Sequence, residues 1–449
     1  MPDATRESRP ARRRRLPRHT RIFFGLLFGL LVGLFVHEVA GDAPWVNWVV
    51  DNVAYPVGQI FLRLIFMIVV PLVFSSLVLG VLELGDVKKL GRIGLKTLAY
   101  TIFASGISVA IGIGLVNLFR PGAGVDPSVR AELSSSFAAQ SQTTIENAQK
   151  AKTWADTLLS LIPRNPIAAA VDALTGEMLA LMVFAVFFGV ALARIRDPKG
   201  EPLIDFFSGV QRVSMKIVDW AMALAPYGVA ALLFSLTARS GFAVIPRLGG
   251  YVGVVVAGLA IQMFVVYSAI LKGLARVPPV EWFFRCREVI LTAFSTASSN
   301  ATLPTSLQTS AEKLGVPTRI GNFVLTVGAT GNQNGTALFE GVTVLFLAQV
   351  FGIDLSLPQQ ITVVLMSILA GVGTAGVPGG SLPLIVIVLQ TVGIPPEGIG
   401  IILGVDRFLD MCRTVVNVVG DLVCATFVAR SERELAFPAP TAKAIAADA

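Results

Sequence analysis

Three carboxylates, two guanidiniums and an amide lie close together in one otherwise apolar segment, Gly404 to Asp421. In a helix, steps of four, three, four and four residues place five of these groups on one face. The five are Asp406, Asp410, Arg413, Asn417 and Asp421. Arg407 points roughly a quarter-turn away from them. One arginine cannot neutralise three aspartates, so the surplus negative charge favours a binding site for a cation or a charged substrate over a salt-bridged structural helix.

The composition places this segment in a membrane protein. The chain has 449 residues, a mean hydropathy of +0.72, 54% hydrophobic residues and only 14% charged residues. A soluble protein of this size would have about a quarter of its residues charged. The sequence therefore predicts an all-α polytopic membrane protein.

The net charge of +7 does not indicate a nucleic-acid partner, because much of it lies in the arginine-rich head between Arg6 and Arg21. We interpret residues 1–21 as a basic cytoplasmic tail under the positive-inside rule. A signal peptide is the alternative, but no clear small-x-small cleavage site follows. The cysteines and histidines have no metal-ligand spacing and form no catalytic cluster; they are Cys286, Cys412, Cys424, His19 and His37.

The first half of the chain is a series of apolar runs. Pro71 indicates that the second run is tilted or kinked, and the residues Ala225 to Gly228 indicate a break in the fifth. A polar loop carrying Asp42 and Trp45 is predicted after the first run, and residues 120–156 are predicted to form a long polar surface loop. The predicted runs are 22–39, 55–84, 93–119, 158–195 with an interruption at 163–166, 206–237 and 251–274.

Two stretches of the second half have apolar arms around an irregular centre. The first, 282–310, is interrupted by Ser295 to Pro304, and the second, 359–392, is interrupted by Gly371 to Ser381. Irregular backbone at membrane depth is tolerated where it lines a cavity, so each stretch is predicted to be a re-entrant helical hairpin. A kinked spanning helix is the alternative for each one.

Between the hairpins, Val327 to Gly341 contains the run Gly-Asn-Gln-Asn-Gly-Thr. This run interrupts a helix and frees carbonyl oxygens that can coordinate a cation. An amide-rich contact between helices is the alternative.

These motifs together resemble the dicarboxylate/amino acid:cation symporter family, which includes glutamate and aspartate transporters. The resemblance covers most of the chain, from the first span to about Arg430. It implies eight transmembrane helices plus two re-entrant hairpins, a homotrimer in the cytoplasmic membrane, and an elevator-type movement of a transport domain. Residues 22–250 would be mainly scaffold, except for the third helix at 93–119. Residues 251–430 would be the transport domain and 431–449 a C-terminal tail, with both termini cytoplasmic.

The resemblance also implies roles for individual residues. Asp410 would bind the α-amino group of an acidic amino acid and Arg413 its side-chain carboxylate, with hydrogen bonds from Thr414 and Asn417. Ser298 and Ser299 with neighbouring amides would take the α-carboxylate, and Thr336 would reach the side chain. Residues Val377 to Gly379 would form the lid. Because Asp410 would repel a plain dicarboxylate, we predict an amino acid substrate, with the choice between aspartate and glutamate left open.

The coupling ion is where the chain departs from the family pattern. A sodium site matching Thr101, Ser105 and Asn334 is predicted to be lost, because Asn334 replaces an aspartate and Ala104 lacks a hydroxyl. A site matching Gly328, Asn332, Asn417 and Asp421 keeps its residues. A third, near Thr330 and the second hairpin tip, has Gln333 in place of a methionine. The family's arginine in the first hairpin or the last helix is replaced by Ala297 or Met411.

Glu340 lies where proton-coupled members have an acidic residue, and an intramembrane glutamate can carry a proton. A structural hydrogen-bonded acid is the alternative. The sequence therefore predicts an importer of aspartate or glutamate with weakened or lost sodium coupling and Na⁺ or H⁺ as the coupling ion. A sodium-coupled symporter and a substrate-gated anion channel are the alternatives. A hydrolase is disfavoured, because no nucleophile has a base nearby, and no organic cofactor is predicted.

Overall fold

The fold was analysed in a computed structural model. It describes residues 18–40, 43–84, 87–123, 142, 145–146, 159, 162–173, 177–195, 200–240, 248–373 and 381–438. Within these ranges the regular structure is entirely helical. In chain order the helices are α1 (Arg18–Ala40), α2 (Pro44–Val49), α3 (Tyr55–Leu84), α4 (Val87–Phe119), α5 (Pro166–Val171), α6 (Met178–Arg194), α7 (Glu201–Ser240), α8 (Gly249–Ala275), α9 (Pro279–Thr296), α10 (Ser299–Glu312), α11 (Thr318–Gly331), α12 (Asn334–Val350), α13 (Leu357–Gly373), α14 (Leu382–Thr391) and α15 (Ile399–Ser431).

Six of the described helical segments are long and apolar enough to cross a membrane. They are Thr20–Ala40, Pro44–Leu82, Lys88–Phe119, Glu201–Arg239, Gly249–Ala275 and Ile399–Ser431. Many of their large apolar side chains face outward, including Phe28, Phe35 and Trp220, as expected of surfaces that contact lipid. The prediction of a polytopic, all-α membrane protein is confirmed, and the number of eight spans stays a prediction.

Two sequence-based expectations about the first half differ from the structure. Trp45, which was placed in a polar loop, lies in α2, and a π-helical turn (Val50–Ala54) joins α2 to α3. Pro44 at the first helical position favours this start, because its missing N–H has no partner to lose there. The predicted break at Ala225 to Gly228 is absent, since α7 runs through Pro226 without interruption.

Small residues allow α1 and α7 to pack backbone against backbone. A Cβ atom added to Gly25 would lie 2.1 Å from the carbonyl oxygen of Pro226, and one on Gly29 would lie 2.1 Å from that of Ala230. Such close approach is how membrane helices gain packing energy where there is no hydrophobic driving force between them. Helix α3 packs against α7 in turn, so α1, α3 and α7 form one packed group.

The first predicted hairpin is a pair of packed helices, α9 and α10. Only Ala297 and Ser298 separate them, so the interruption is narrower than the predicted one at 295–304. Ala297 has a positive φ of 50°, which turns the chain, and the Ser298 hydroxyl accepts a hydrogen bond from the Ala301 N–H at 3.2 Å. This N-cap starts α10 at once, and α10 is buried although it is rich in serine and threonine.

The second predicted hairpin corresponds to α13 and α14, which also pack together. Its tip, residues 374–380, lies outside the described residues, as do residues 1–17 of the basic tail and nearly all of the 120–156 loop. The predicted interruption near Asn332 is present, because α11 ends at Gly331 and α12 begins at Asn334.

Two glutamates just after α15 tie three helix ends together. Glu432, whose side chain is only 4% exposed, accepts from Arg92 and Lys96, each at 2.6 Å. Glu434 pairs with Lys89 at 2.6 Å and with Arg319 at 2.5 Å. The last described residues therefore link the starts of α4 and α11 to the end of α15.

We expect Glu432→Gln to lower the thermal stability of the full-length protein at pH 7 and to reduce its dependence on pH. Hydrogen bonds from Arg92 and then Lys96 lower the pKa of Glu432 from an ordinary 4.5 to about 2. The stabilising charge is therefore fully present above pH 4.5 and is lost as the pH falls towards 2. Thermal unfolding of both proteins between pH 7 and pH 3 would measure this. Equal melting temperatures at pH 7 would contradict it.

Candidate functional site

The polar face predicted near the C-terminal end lies on a single helix, α15, and its side chains are buried. Asp406, Asp410, Arg413, Asn417 and Asp421 are each no more than 8% exposed. Around them pack α12, α11, α8 and α4, so the polar face is directed into the protein and not towards lipid. Ionisable groups held this way in a membrane protein mark a substrate or ion pathway.

Arg413 lies between two carboxylates and an aromatic ring. Its Nε donates to Asp410 Oδ1 at 2.9 Å, and its NH1 lies 3.3 Å from Asp406 Oδ1. Its guanidinium carbon is 4.2 Å from the centroid of the Phe339 ring, a cation–π geometry. NH1 nevertheless has no hydrogen-bond acceptor among the described residues. A buried guanidinium whose NH1 is ion-paired but not hydrogen-bonded can still donate to a planar carboxylate.

Asn417 connects α15 to the interruption between α11 and α12. Its Oδ1 accepts from the backbone N–H groups of Gly335 at 2.7 Å and Thr336 at 3.2 Å. Its Nδ2 donates to Gln333 Oε1 and to Thr336 Oγ1. The first N–H groups of a helix have no partner within it, so Asn417 caps α12 from a different helix.

Gln333 completes this arrangement. Its Nε2 donates to the carbonyl oxygen of Ala329 at 2.8 Å, in the last turn of α11. The interruption is therefore closed by side-chain amides at both ends. Every polar side-chain atom of Asn417 has a protein partner, so its predicted hydrogen bond to substrate requires a rearrangement.

Asp421 forms a second polar centre with residues of α11 and the interruption. Its Oδ1 accepts from Asn332 Nδ2 at 2.8 Å. Asn332 Oδ1, which is buried, has no donor among the described residues. Gly328 allows the carboxylate to approach the α11 backbone, since a Cβ atom there would lie 2.6 Å from Asp421 Oδ1. The structure thus brings together three of the four residues of the retained sodium site, and their oxygens are of the kind that a hard cation prefers.

Two residues of the sodium site that was predicted to be lost, Ser105 and Asn334, are hydrogen-bonded to each other. Asn334 Oδ1 accepts from Ser105 Oγ at 2.7 Å, and Asn334 Nδ2 donates to the Tyr267 hydroxyl at 2.9 Å. That hydroxyl donates to the Val416 carbonyl at 3.0 Å. Thr101 is buried one turn before Ser105 on α4. The amide of Asn334 is therefore satisfied by protein groups on both sides.

Glu340 is fully buried on α12, and neither carboxylate oxygen has a hydrogen-bond partner among the described residues. It follows directly after Phe339, whose ring contacts Arg413, and it interacts electrostatically with that guanidinium. A buried carboxyl group without a donor is costly when ionised. The environment of Glu340 therefore differs from the alternative given in the sequence analysis, in which Glu340 is a structural acid held by hydrogen bonds.

The remaining predicted residues have different outcomes. Ser298, Ser299, Thr336 and Thr414 are buried, and Ser298 is engaged as the cap of α10. Val377 and Gly379 lie outside the described residues. The positions without the family's arginine, Ala297 and Met411, pack in an apolar cluster with Leu233 of α7.

Sequence reasoning missed two aromatic residues of the site. Tyr267 bonds Asn334, and Phe339 supports Arg413. Tyr267 lies in a run of apolar residues with no charged neighbour, so its position alone gave no signal. The sequence could have indicated Phe339 as a site residue, because it directly precedes Glu340, which had already been assigned to the site.

A family model for the sodium:dicarboxylate symporter family matches residues 19–431. The chain belongs to that family. It is 36% identical over 412 residues to the proton/sodium-glutamate symport protein of Bacillus subtilis (strain 168), which covers 92% of this chain and 94% of the relative. It is 37% identical over 394 residues to the proton/glutamate-aspartate symporter of Escherichia coli (strain K12), covering 86% and 87%. A C4-dicarboxylate transport protein of Bacillus subtilis (strain 168) is 31% identical over 380 residues, covering 84% and 87%.

Membership of the sodium:dicarboxylate symporter family confirms the resemblance drawn from the motifs and makes the protein a multi-pass membrane transporter and not an enzyme. Its relatives carry names that differ in substrate and in cation. The family therefore leaves the substrate and the coupling ion of this chain to be argued from its own residues.

Proposed function

We propose that this protein imports aspartate or glutamate across the cytoplasmic membrane. The observation that carries the proposal is the buried Arg413, whose NH1 is paired with Asp406 at 3.3 Å without a hydrogen bond while its Nε is fixed by Asp410. A guanidinium in that state binds a carboxylate strongly, because little water competes for it. The names of the glutamate and glutamate-aspartate relatives support the same substrate class.

Asp410 favours an amino acid over a plain dicarboxylate. Its carboxylate lies next to the arginine that would hold the substrate's side chain, where it attracts an ammonium group and repels a second carboxylate. A relative named as a C4-dicarboxylate transport protein makes succinate the competitor to test. We expect aspartate, and not succinate, to compete for uptake.

For the transport movement we propose the elevator arrangement, with eight spans, two re-entrant hairpins and a homotrimer. Two sets of helices pack among themselves, α1 with α3 and α7, and α4 with α11, α12 and α15 around the polar site, and the two sets meet where α3 packs against α11. The ion pairs of Glu432 and Glu434 tie α4 and α11 to α15. Helices joined in this way would move as one body.

For the coupling ion we propose a weakened dependence on sodium and a role for protons. Asn334 is neutral and its amide is already bonded to Ser105 and Tyr267, so a dehydrated cation gains little there. The Asp421 centre keeps an unbonded oxygen of Asn332, which supports binding of one sodium ion. Glu340, buried without a donor, supports proton carriage.

Aspartate uptake into proteoliposomes tests the proposal. We expect uptake to persist, within about threefold, when sodium is replaced by choline at constant pH, because at most one of the cation sites retains a carboxylate. Adding succinate in hundredfold excess is the control and should leave aspartate uptake unchanged. Strict sodium dependence with a steep, multi-ion concentration curve would refute the weakened coupling, whereas absence of aspartate uptake under every gradient would refute the substrate.

A further inference from the structure

Two buried polar groups on neighbouring helices have no hydrogen-bond partner among the described residues. One is the Glu340 carboxyl group on α12 and the other is the Ser367 hydroxyl on α13, and both residues are fully buried. Helices α12 and α13 pack directly against each other. Since buried polar groups are nearly always bonded, two such groups on packed helices point to a shared proton or water path.

Contacts with α4 place Ser367 at the depth of Glu340. At one end of the α12–α13 seam, Gln349 of α12 donates to the Val116 carbonyl, and Asn117 donates to Gln360 of α13. These two contacts are made to adjacent residues of α4, so Gln349 and Gln360 lie at the same height along the α4 axis.

Deeper along α4, Gly341 of α12 packs on Val109, and Ile368 of α13 packs over Gly106. Val109 and Gly106 lie within one helical turn of each other. Glu340 directly precedes Gly341 and Ser367 directly precedes Ile368. The two unbonded groups therefore lie within about one turn of the same depth.

A polar cavity of about 290 Å³ lies at the shallow end of this seam. Its lining includes Asn117, Arg120, Ala348, Gln349, Asp354 and Gln360, and Arg120 and Asp354 are exposed. We call it the loop cavity. Along α12, Leu345 in its lining is five residues from Glu340, a rise of about 7.5 Å. Along α13, Gln360 and Ser367 are seven residues apart and so share a face.

We propose that the Ser367 hydroxyl relays a proton between the loop cavity and Glu340. The proposal rests on the proposed role of Glu340 as the proton carrier. A hydronium ion that reaches Ser367 from the loop cavity gives a proton to Ser367 Oγ as that hydroxyl gives its own proton to a Glu340 carboxylate oxygen. The serine is unchanged, one O–H bond forms on Glu340, one breaks in a hydronium ion, and no electrons are transferred.

The charged groups around Glu340 are compatible with this role. From α15 it interacts with Arg413, which also interacts with Asp406 and Asp410, and from α8 the titratable groups that bond α12 are Tyr251, to Thr343, and Tyr267, to Asn334. Helices α13 and α14 contain no charged residue. The basic residues of α4 lie at its far end, where Lys89, Arg92 and Lys96 pair with Glu432 and Glu434. The described helices that carry Ser367 and its neighbour in the hairpin therefore bring no charged side chain to this seam.

The test compares Ser367→Thr with Ser367→Val. These side chains have the same shape and differ by the hydroxyl, so any cost of added volume is common to both. In proteoliposomes with an inward proton gradient, we expect valine to lower the maximal rate of aspartate uptake about tenfold relative to threonine, with KM unchanged within twofold. Ser306→Val is the matched control, since Ser306 on α10 is also a buried serine without a partner, and it should not slow the gradient-driven rate selectively.

Equal gradient-driven rates for the threonine and valine proteins would overturn the relay. So would a valine protein that is slowed equally in aspartate exchange at uniform pH, where no net proton movement is needed. Glu340→Gln separates this from the proposed function: if that variant still responds fully to the proton gradient, the role of Glu340 fails, whatever Ser367 does. If it loses the response while Ser367→Val does not, only the relay fails.

Discussion

Replacing Arg413 with cysteine is expected to abolish recognition of aspartate and glutamate while leaving a site that accepts small neutral amino acids. The guanidinium is 2% exposed and its NH1 is ion-paired with Asp406 without a hydrogen bond, so a substrate carboxylate placed there would lose the buried counter-charge that Arg413 supplies. Leaving such a charge unpaired costs about 3 to 5 kcal/mol, which is a loss of affinity of at least about a hundredfold. Competition of labelled aspartate by unlabelled aspartate and serine, in the variant and the parent, would measure it.

Asp410→Asn is the matched variant, since it changes the other charge of the same ion pair. It should weaken every amino acid substrate, acidic or neutral, because the ammonium group loses its counter-charge. The two variants therefore differ in which substrates they affect. An Arg413→Cys protein that binds aspartate with unchanged affinity would show that α15 does not form the substrate site.

The sequence predicted those parts of the fold in which the positions of the polar residues and their helical spacing indicate the same structure. The polar face of α15 followed from steps of four and three residues in an apolar segment, and the interruption at Asn332 followed from its glycine and amide residues. The continuous α7 could not be predicted, because Ala-Pro-Tyr-Gly resembles a break locally. Tertiary packing decided it: Gly228 accommodates Phe61 of α3, where a Cβ atom would lie 2.4 Å from the Phe61 Cβ.

For the site, the sequence predicted which residues take part but not which residues they hydrogen-bond to. Asn417 was placed beside substrate and sodium, yet its amide caps α12 and bonds Gln333. Tyr267 lies 67 residues from Asn334 in the sequence, so no local pattern joins them. Such pairings depend on how α8, α12 and α15 pack.

The structure also gives a physical reason why sodium coupling would be weak. Where the sequence has Gln333 and Asn334, side-chain amides donate to a carbonyl of α11 and to Tyr267. A neutral amide that already bonds to protein leaves neither the charge nor the free oxygens that replace a cation's hydration shell. Both carboxyl oxygens of the buried Glu340 lack a hydrogen-bond donor among the described residues, and this directs attention to the proton.

Glu340→Gln is expected to remove the response of aspartate uptake to an inward proton gradient while preserving aspartate exchange at uniform pH. Glutamine has nearly the shape of glutamate but cannot take up and release a proton. A gradient of one pH unit supplies about 1.4 kcal/mol per proton, so coupling to one proton raises aspartate accumulation about tenfold in the parent and not in the variant.

Glu432→Gln is the control, because that glutamate lies beyond the end of α15 and pairs with Arg92 and Lys96. It should keep the tenfold response even if the protein is less stable. A Glu340→Gln protein that still accumulates aspartate tenfold would require another carrier, and one that loses exchange as well would make Glu340 a structural acid beside Arg413.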